Sequence, residues 1–552
     1  MTDLPHKGNQ TDTTHTAQPG PEASSDTTTV DLPTHAQIAA QVPENVENPK
    51  KYIKEHKEAL RRDRRARAMN SFMGQPKGLY SLFGLELWER FSYLGFQAIL
   101  VLYFTDAIAN GGLGYAEDVG SSIVAAYGAL VYLLSIVGAW IADRISGTYR
   151  AVLWGGIVIA AGHIAMGIPT EFFTWVGLGL IVVGTGLLKP NVSTMVGELY
   201  APGDSRRDAG FSIYYAGINI GAFLGPLVAG FLGQRVHWHA GFASAAVGMI
   251  LGLIAYVATG KNLSGRAKAH RIRASFVADR SFWMLVGLVG GVVAVATLFA
   301  VLSSATLSDV VNGISVITWI VPVFFFLWMY RSPKVSRVER RNLIPYALLL
   351  IALILYNLLY FQTGNTLNLV ALNATDNTIG SLSYPSSYYI SLTAIVEIIM
   401  GPVLAWIWLK LGKRQPHVAA KVGLGAVLGG IAFVIVALAG ILTPRGALLM
   451  PLWLVGCYIF LGLGDLVLQT SGMSATTKLA PRAFASQTMA LWFAAMACAQ
   501  GIQAQVVKFF DYENMAASIP TYFGVQGAVV IGYGVLLMAL TPWMRSRMKV
   551  VA

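Results

Sequence analysis

The sequence predicts an all-α polytopic membrane protein. Of its 552 residues 55% are hydrophobic and only 12% are charged, and the mean hydropathy is +0.56, whereas soluble domains contain roughly 25% charged residues. Apolar runs of about 20 residues, the length that a helix needs to cross a bilayer, recur between short polar loops. Fourteen such runs fall into groups of six, two and six, which predicts two six-helix bundles with an inserted two-helix hairpin.

The chain divides into four regions. Residues 76–260 form the predicted first bundle, with helices near 79–108, 119–142, 148–168, 172–199, 207–233 and 237–259. Residues 261–341 contain basic linkers and the predicted transmembrane hairpin, with helices near 281–304 and 308–330. Residues 342–552 form the second bundle and a short tail, with helices near 343–372, 384–411, 418–442, 447–479, 482–510 and 520–544.

Residues 1–75 form a predicted disordered tail. They are rich in Thr, Asp, Pro, Gln and Ser, and so cannot bury enough apolar area to fold. A basic run at residues 61–67 precedes the first apolar run. It could bind nucleic acid, but basic residues beside a membrane span more often fix its orientation and contact anionic lipid. We therefore expect contact with the lipid bilayer and no nucleic-acid partner.

Lys and Arg residues alternate between loops. They concentrate after the even-numbered helices, at 144–150, 206–207, 261–280, 331–341, 410–421, 478–482 and 545–549. The opposite loops are mainly acidic, with Glu117, Asp118, Glu171, Asp309, Asp376, Asp511 and Glu513. The positive-inside rule places the basic loops and both termini in the cytoplasm. We expect a multi-pass protein of the cell membrane.

A weak internal repeat relates the two bundles. After the second helix of the first bundle the chain reads Ala139-Trp140-Ile141, with Arg144 three residues further on. At the same place in the second bundle it reads Ala-Trp-Ile at 405–407, with Lys410 at the same offset. Parallel six-helix repeats are the arrangement of major facilitator transporters, whose site lies between the halves near the membrane midplane.

The first predicted helix carries charges that are costly in a membrane. Glu86, Glu89, Arg90 and Tyr93 follow one another at i, i+3, i+4 and i+7, which places them on one helix face. Each ionisable group at bilayer depth costs roughly 2.5 to 3.5 kcal/mol, so such groups usually face a transport path. Lys189 would balance the two glutamates together with Arg90 if the helices are adjacent. Protonating one glutamate would then release a cation for an anionic solute, although a purely structural salt-bridge network would contain the same residues.

Other function classes find little support in the sequence. Cys457 and Cys498 lie within apolar runs, which favours packing over a disulfide or thiolate metal site. The His residues show no metal-ligand spacing, and no activated nucleophile indicates an enzyme. Gly217, Gly221 and Gly225 have the spacing of close helix packing. In the second bundle Glu397 and Asp465 are buried ionisable groups, and a structural role for Glu397 is as well supported as a functional one.

The motifs of the chain resemble those of the proton-dependent oligopeptide transporter family, within the major facilitator superfamily. The first-helix segment Glu86-x-x-Glu89-Arg90-Phe-x-Tyr93 is similar to the family signature. The segments 138–147, 184–191, 211–221 and 476–481 resemble the family's loop after helix two, its fourth-helix motif, its fifth-helix motif and its loop after helix ten. The resemblance covers about residues 76–545.

The resemblance implies roles for individual residues. It implies proton coupling by Glu86, Glu89, Arg90, Lys189 and Asp465. It implies substrate binding by Arg90, Tyr93, Tyr127, Lys189, Asn219, Asp465 and Trp492, with Arg90 and Lys189 on the peptide carboxylate and Asp465 on the amino group. Asp143 and Arg144, in the loop after helix two, are the expected gating residues.

Several positions depart from the family pattern. Leu94 replaces a second tyrosine of the signature, Thr393 stands where relatives have a pocket asparagine, and Gly128 replaces a histidine of animal relatives. The segment 360–364 lacks the glutamate that relatives often carry before its Gln. Proton coupling is therefore expected to fall on the first-helix glutamates and Asp465.

The function that these observations favour is proton-coupled symport of di- and tripeptides by alternating access. The expected partners are small peptides and protons, with no metal and no cofactor, because the proton gradient supplies the energy. A carrier of another small organic anion or peptide-like compound is the alternative, and a non-transporting membrane sensor is a weaker one because no folded signalling domain is evident.

Overall fold

The computed structural model describes residues 71–263 and 306–548, apart from 73, 201–203, 205 and 445. Most of the predicted tail, up to residue 70, and the predicted helix near 281–304 lie outside these residues. The count of fourteen helices and the division into four regions therefore stay predictions.

The described structure is almost entirely helical. Before the gap at 264–305 the helices are α1 Lys77–Thr105, α2 Glu117–Ile141, α3 Thr148–Met166, α4 Glu171–Glu198, α5 Arg207–Arg235 and α6 Trp238–Thr259. After it they are α7 Leu307–Arg331, α8 Arg337–Tyr360, α9 Thr366–Asn373, α10 Ile390–Leu411, α11 Val418–Leu442, α12 Pro451–Leu479, α13 Ala485–Val506 and α14 Met515–Arg547. Two short antiparallel hairpins pair β1 Ser71–Phe72 with β2 Gln75–Pro76, and β3 Thr378–Ile379 with β4 Leu382–Ser383.

Twelve helical segments among the described residues are long and apolar enough to cross a membrane, and α8 with α9 forms one of them. Helix α1 is not among the twelve, since Glu86, Glu89 and Arg90 lower its hydropathy. Its 29 residues correspond to about 43 Å at 1.5 Å per residue, which exceeds the roughly 30 Å of a bilayer core. Every predicted helix within the described residues corresponds to a helix of the structure.

The predicted helix at 343–372 is broken in two. A 3₁₀ turn, Phe361–Gly364, follows α8, and Asn365 leaves helical geometry with φ −137° and ψ −114°. Two side chains beyond the break bind the first bundle: Asn365 Nδ2 donates to the Ser121 carbonyl at 2.8 Å and Asn368 Nδ2 to the Ala98 carbonyl at 2.7 Å. Hydropathy averaged over a span missed the break because long apolar runs flank the short polar segment 362–366 on both sides.

Local signals explain where several helices begin and end. Helices α7 and α8 each begin with a capping box, in which Thr306 pairs with Asp309 and Ser336 with Glu339. Helix α2 ends in a π turn, Ala142–Ser146, and Gly147 follows at φ 75°, a conformation that favours glycine.

The helices form a first half, α1–α6, and a second half, α8–α14, that meet along two seams. Within the first half α1 packs on α5 and α6, and α4 packs on α2 and α3. Within the second half α11 packs on α12 and α14. Helix α2 packs on α13 and α5 packs on α10, and these two pairs join the halves.

Glycines allow the closest helix contacts. A Cβ atom on Gly221 or Gly225 of α5 would clash with the α1 carbonyl oxygens of Leu87 or Phe91. The close-packing interpretation of the glycine spacing at 217–225 is therefore confirmed.

Helix α7, the described helix of the inserted region, lies against both α2 and α13. Lys508 Nζ donates to Asn312 Oδ1 at 2.9 Å, and Gln505 Nε2 donates to Ser315 Oγ at 3.0 Å. Its other face exposes apolar side chains, including Val316, Ile320, Val323 and Phe324.

Candidate functional site

A pocket lies between the two halves. Its empty volume is about 990 Å³, part of it open to solvent. The first half contributes side chains from α1, α2 and α5, and the second half contributes them from α8, the 3₁₀ turn, α10, α12 and α13. The polar and charged lining residues are Arg90, Tyr93, Gln97, Tyr132, Asn219, Asn357, Tyr360, Thr363, Thr393, Glu397, Asp465 and Gln469.

The charged residues of α1 form a buried cluster beside this pocket. Arg90 Nε lies 3.2 Å from Glu86 Oε1 and 2.5 Å from Glu89 Oε2. The exposed fractions are 5% for Glu86, 1% for Glu89 and 8% for Arg90. Arg90 alone of the three lines the pocket. Its Nη2 atom is buried and has no hydrogen-bond partner among the described residues, so one donor of the guanidinium is left unpaired.

Lys189 lies next to this cluster but not in direct contact with its carboxylates. Its Nζ is 4.1 Å from the centroid of the Tyr132 ring and 5.4 Å from that of Tyr93, distances typical of cation–π contacts. Within the described residues no carboxylate lies within 4.0 Å of this ammonium group. The charge balance of Lys189 with the glutamates stays a prediction, and the direct contacts of its ammonium group are with two tyrosines that line the pocket.

The crossing of α2 and α4 sets the position of Lys189. A Cβ atom on Gly138 would clash with the Gly186 carbonyl oxygen. Asn191 Nδ2 donates to the Gly138 carbonyl at 3.3 Å, on the other side of Lys189 along α4. Because both helices approach without side chains here, Lys189 reaches Tyr132 of α2.

The second half contributes two carboxylates. Asp465 of α12 and Glu397 of α10 both line the pocket and are partly buried. The Gln469 amide contacts Asp465 and donates to Asn357 Oδ1 at 3.3 Å. The pocket therefore has a cationic residue on one wall and anionic residues on the other.

The other predicted site residues are divided between this pocket and its surroundings. Tyr93, Asn219 and Asp465 line it, as do the departures Leu94 and Thr393. Tyr127 and Trp492 lie outside the lining: the Tyr127 ring packs edge-on against Phe96, and Trp492 covers Gly472. Both are buried with a polar atom, Tyr127 Oη and Trp492 Nε1, that lacks a hydrogen-bond partner among the described residues.

The expected gating residues lie away from the pocket. Asp143 is exposed in the π turn that ends α2, and Arg144 lies in the same turn. The turn leads directly into α3, so it joins two helices of the first half.

Sequence reasoning left several pocket residues unassigned. Tyr132, Gln97 and Asn357 gave no signal stronger than that of any polar residue in a helix. Gln469 was recoverable, because it stands four residues after Asp465 and so shares its helix face. The sequence showed Glu397 as an acidic residue in an apolar run, but it did not show whether the side chain faces the pocket. Elsewhere in the described chain, no group of three or more His, Cys, Asp or Glu residues could hold a metal ion.

Among the described residues, several hydrogen bonds between the halves lie at one end of the bundle. We call the end where α1 begins the near end and the opposite one the far end. At the far end Gln234 Nε2 donates to Ser387 Oγ at 2.8 Å, and Arg235 Nη2 donates to Ser383 Oγ at 2.7 Å. Tyr512 Oη donates to Ser121 Oγ at 3.1 Å, and burial raises the pKa of this phenol to about 12. With the bonds of Asn365 and Asn368, these contacts join the two halves at the far end.

Comparison with known proteins agrees with this architecture. The uncharacterized transporter YclF of Bacillus subtilis (strain 168) is 40% identical over 87% of this chain and 96% of its own. A di-/tripeptide transporter of Lactococcus lactis subsp. cremoris is 37% identical over 85% of this chain and 96% of its own. A crystal structure of a peptide transporter POT in complex with sulfate has a TM-score of 0.81 at 41% identity and covers 94% of this chain and 100% of that one.

The family model agrees with these relatives. Residues 149–524 match the model PTR2, described as the POT family. The matched residues include α4, the broken helix α8–α9 and both carboxylates of the second half. The all-helical membrane fold of the major facilitator type is thus confirmed, and the chain belongs to the POT family of transporters.

Proposed function

We propose that this protein imports di- and tripeptides together with protons, by alternating access. The observation that carries the proposal is the distribution of charge in the pocket, with Arg90 on the wall of the first half and Asp465 and Glu397 on the wall of the second. A peptide is a zwitterion whose two charges lie at opposite ends. Its carboxylate would bind at the Arg90 side and its ammonium group at the Asp465 side, so that one substrate contacts both halves.

The cluster on α1 offers a route for proton coupling. Arg90 Nε is shared by Glu86 and Glu89. Protonation of either glutamate removes one of the two ion pairs, which leaves the guanidinium better able to bind an anion. Lys189, held by Tyr93 and Tyr132, adds a second positive charge close to the same place. With Phe361 and Gln362 neutral in the turn after α8, Asp465 is the proposed coupling group of the second half.

The far-end contacts support an alternating-access cycle. In the proposed cycle this structure represents the state in which the pocket opens toward the near end, because the bonds of Gln234 and Asn365 join the halves at the far end. The opposite state requires Gln234 of α5 to separate from Ser387, in the 3₁₀ turn before α10, and Asn365 to leave α2. Asp143 and Arg144, at the near end of α2, are the proposed gating residues of that opposite state.

The membrane orientation and energy source complete the proposal. The basic loops place the near end and both termini in the cytoplasm of the cell, with lipid around the apolar surface. The inward proton gradient is the driving force, so neither a cofactor nor an enzymatic reaction is required.

Uptake into proteoliposomes with an imposed pH gradient tests the function. Ala-Ala is compared with its C-terminal amide, its N-acetyl derivative, free alanine and small organic anions, each with and without a protonophore. We expect gradient-driven uptake of Ala-Ala that exceeds uptake of the two blocked peptides by at least about tenfold, since each lacks one charge worth roughly 1.4 kcal/mol or more in the pocket. Gradient-driven uptake of an organic anion without uptake of any peptide would refute the peptide assignment.

A further inference from the structure

Glu397 belongs to the pocket face of α10. Ile390, Thr393, Ala394 and Glu397 line the pocket at i, i+3, i+4 and i+7, which is one face of a helix. The next residues along the chain, Ile398 and Ile399, are 41% and 59% exposed on the apolar outer surface. The carboxylate therefore extends from the same helical face as Thr393, toward the substrate space.

The packing of α10 on α12 places Glu397 beside Asp465. One membrane crossing, α11, lies between the two helices along the chain, so they run in the same direction. They approach closely at Thr393 and Gly462, where a Cβ on the glycine would lie 3.1 Å from the Thr393 carbonyl oxygen. Glu397 is four residues beyond this contact and Asp465 three residues beyond it. The two carboxylates are thus at about the same depth, one helical turn past the crossing.

The charges of the pocket are unequal. Its charged lining residues are Arg90, Glu397 and Asp465, and Arg90 is already paired with Glu86 and Glu89. Among the described residues no Lys, Arg or His side chain forms an ion pair with Glu397 or Asp465, and Asp465 Oδ1 has no hydrogen-bond partner. The titratable groups close enough to interact electrostatically with Glu397 are Asp465 of α12 and the phenols Tyr356 and Tyr360 of α8, and the neutral Asn219 of α5 lines the same pocket.

One peptide ammonium group balances only one of the two carboxylates when both are ionised. Like charges at close range in a poorly solvated pocket repel each other by several kcal/mol at an effective dielectric constant near 20, to an order of magnitude. A ligand with two positive charges at this wall would remove the repulsion. The α-ammonium and the side-chain cation of an N-terminal Lys or Arg belong to one residue, so they can reach both carboxylates while the peptide carboxylate stays near Arg90.

We propose that Glu397 and Asp465 form a two-carboxylate site that selects peptides with a basic first residue. This inference rests on the proposed peptide transport and adds a side-chain preference to it. A basic residue at the second position does not satisfy the site, because it extends from the half of the peptide that Arg90 holds.

The test compares Lys-Ala, Ala-Lys and Ala-Ala, of which the first two have the same composition and net charge. Full-length protein in proteoliposomes is assayed for the concentration of each peptide that halves uptake of labelled Ala-Ala. We expect Lys-Ala to compete about tenfold better than Ala-Lys. In Glu397→Gln this ratio should fall to about one, whereas Glu397→Asp should keep most of it. Glu513→Gln, the same chemical change in the exposed loop before α14, serves as the matched control and should leave the ratio unchanged.

The outcomes separate this inference from the function on which it rests. Absence of gradient-driven uptake of every peptide refutes peptide transport itself. Uptake of Ala-Ala with equal competition by Lys-Ala and Ala-Lys in the unaltered protein overturns the two-carboxylate site, and needs no variant. A Glu397→Gln change that weakens all three peptides by one common factor also overturns it, since that result assigns Glu397 to coupling or packing.

Discussion

Replacing Gly138 with alanine is expected to force α2 and α4 apart and to displace Lys189. The added Cβ would clash with the Gly186 carbonyl oxygen and would lie 2.9 Å from Leu187 Cα, whereas ordinary contacts begin near 3.4 Å. Both obstacles are backbone atoms, which no rotamer change can move. The helices must therefore separate by at least about 0.5 Å, and Lys189 is three residues from Gly186.

The magnitude follows from comparison with a second glycine of the same helix pair. Overpacking of this kind lowers the free energy of unfolding by about 1–3 kcal/mol. Replacing glycine with alanine inside a helix raises it by up to about 1 kcal/mol, because alanine has the higher helix propensity. A Cβ on Gly179 of α4 would meet no atom within 4 Å. Gly179→Ala thus gains the propensity without the clash, and the difference between the two variants isolates the overpacking cost of about 1–3 kcal/mol.

Thermal unfolding of the detergent-solubilised protein measures this difference. The unfolding temperature of Gly138→Ala should be about 1–4 °C lower than that of Gly179→Ala. Proton-driven peptide uptake should fall in Gly138→Ala and be retained in Gly179→Ala. Equal or higher thermal stability of Gly138→Ala would refute the claim that the α2–α4 backbone contact fixes this corner of the site.

Three further changes probe the site and the gate. Lys189→Ala should lose proton-driven uptake of Ala-Ala, because the cation held by Tyr93 and Tyr132 disappears. The control Lys508→Ala, which removes a lysine at the far end, should retain this uptake. Uptake at the normal rate in Lys189→Ala would contradict the coupling role. Asp465→Asn should raise the half-saturating concentration of Ala-Ala by about tenfold but change that of N-acetyl-Ala-Ala little, and equal effects on both would argue against an ammonium contact. Asn365→Ala removes the hydrogen bond to the Ser121 carbonyl, worth about 0.5–1.5 kcal/mol. A cysteine placed at Thr363 in the pocket should then react severalfold faster with a membrane-impermeant thiol reagent added at the far end. An unchanged reaction rate would show that this bond does not hold the gate.

The sequence was sufficient for the helices and for the chemical character of the site, because both depend on local patterns. The spacing of Glu86, Glu89 and Arg90 predicts their common face, and the structure places Arg90 Nε between the two carboxylates. Long apolar runs predict the ends of α2 to α6 and α10 to α14 to within six residues.

Partners that depend on how helices cross were harder to predict. The sequence predicted that Lys189 balances the charge of the glutamates, but it could not predict the contact of the ammonium group with Tyr132, which depends on the close approach of Gly138 and Gly186. Glu397 could not be assigned to pocket or packing without the register of α10 against α12. The break at Asn365 depends on hydrogen bonds to residues about 240 to 270 positions away, a distance over which no local pattern carries information.

The position of α7 has a consequence for the surrounding bilayer. Since α7 contacts both α2 and α13, lipid tails along this stretch meet Val316, Ile320, Val323 and Phe324 instead of the seam between the halves. The α5–α10 seam, on the other hand, receives no such cover from α7. Sliding of the halves during transport therefore changes the lipid-facing surface unevenly, and bilayer thickness should influence the two seams to different degrees.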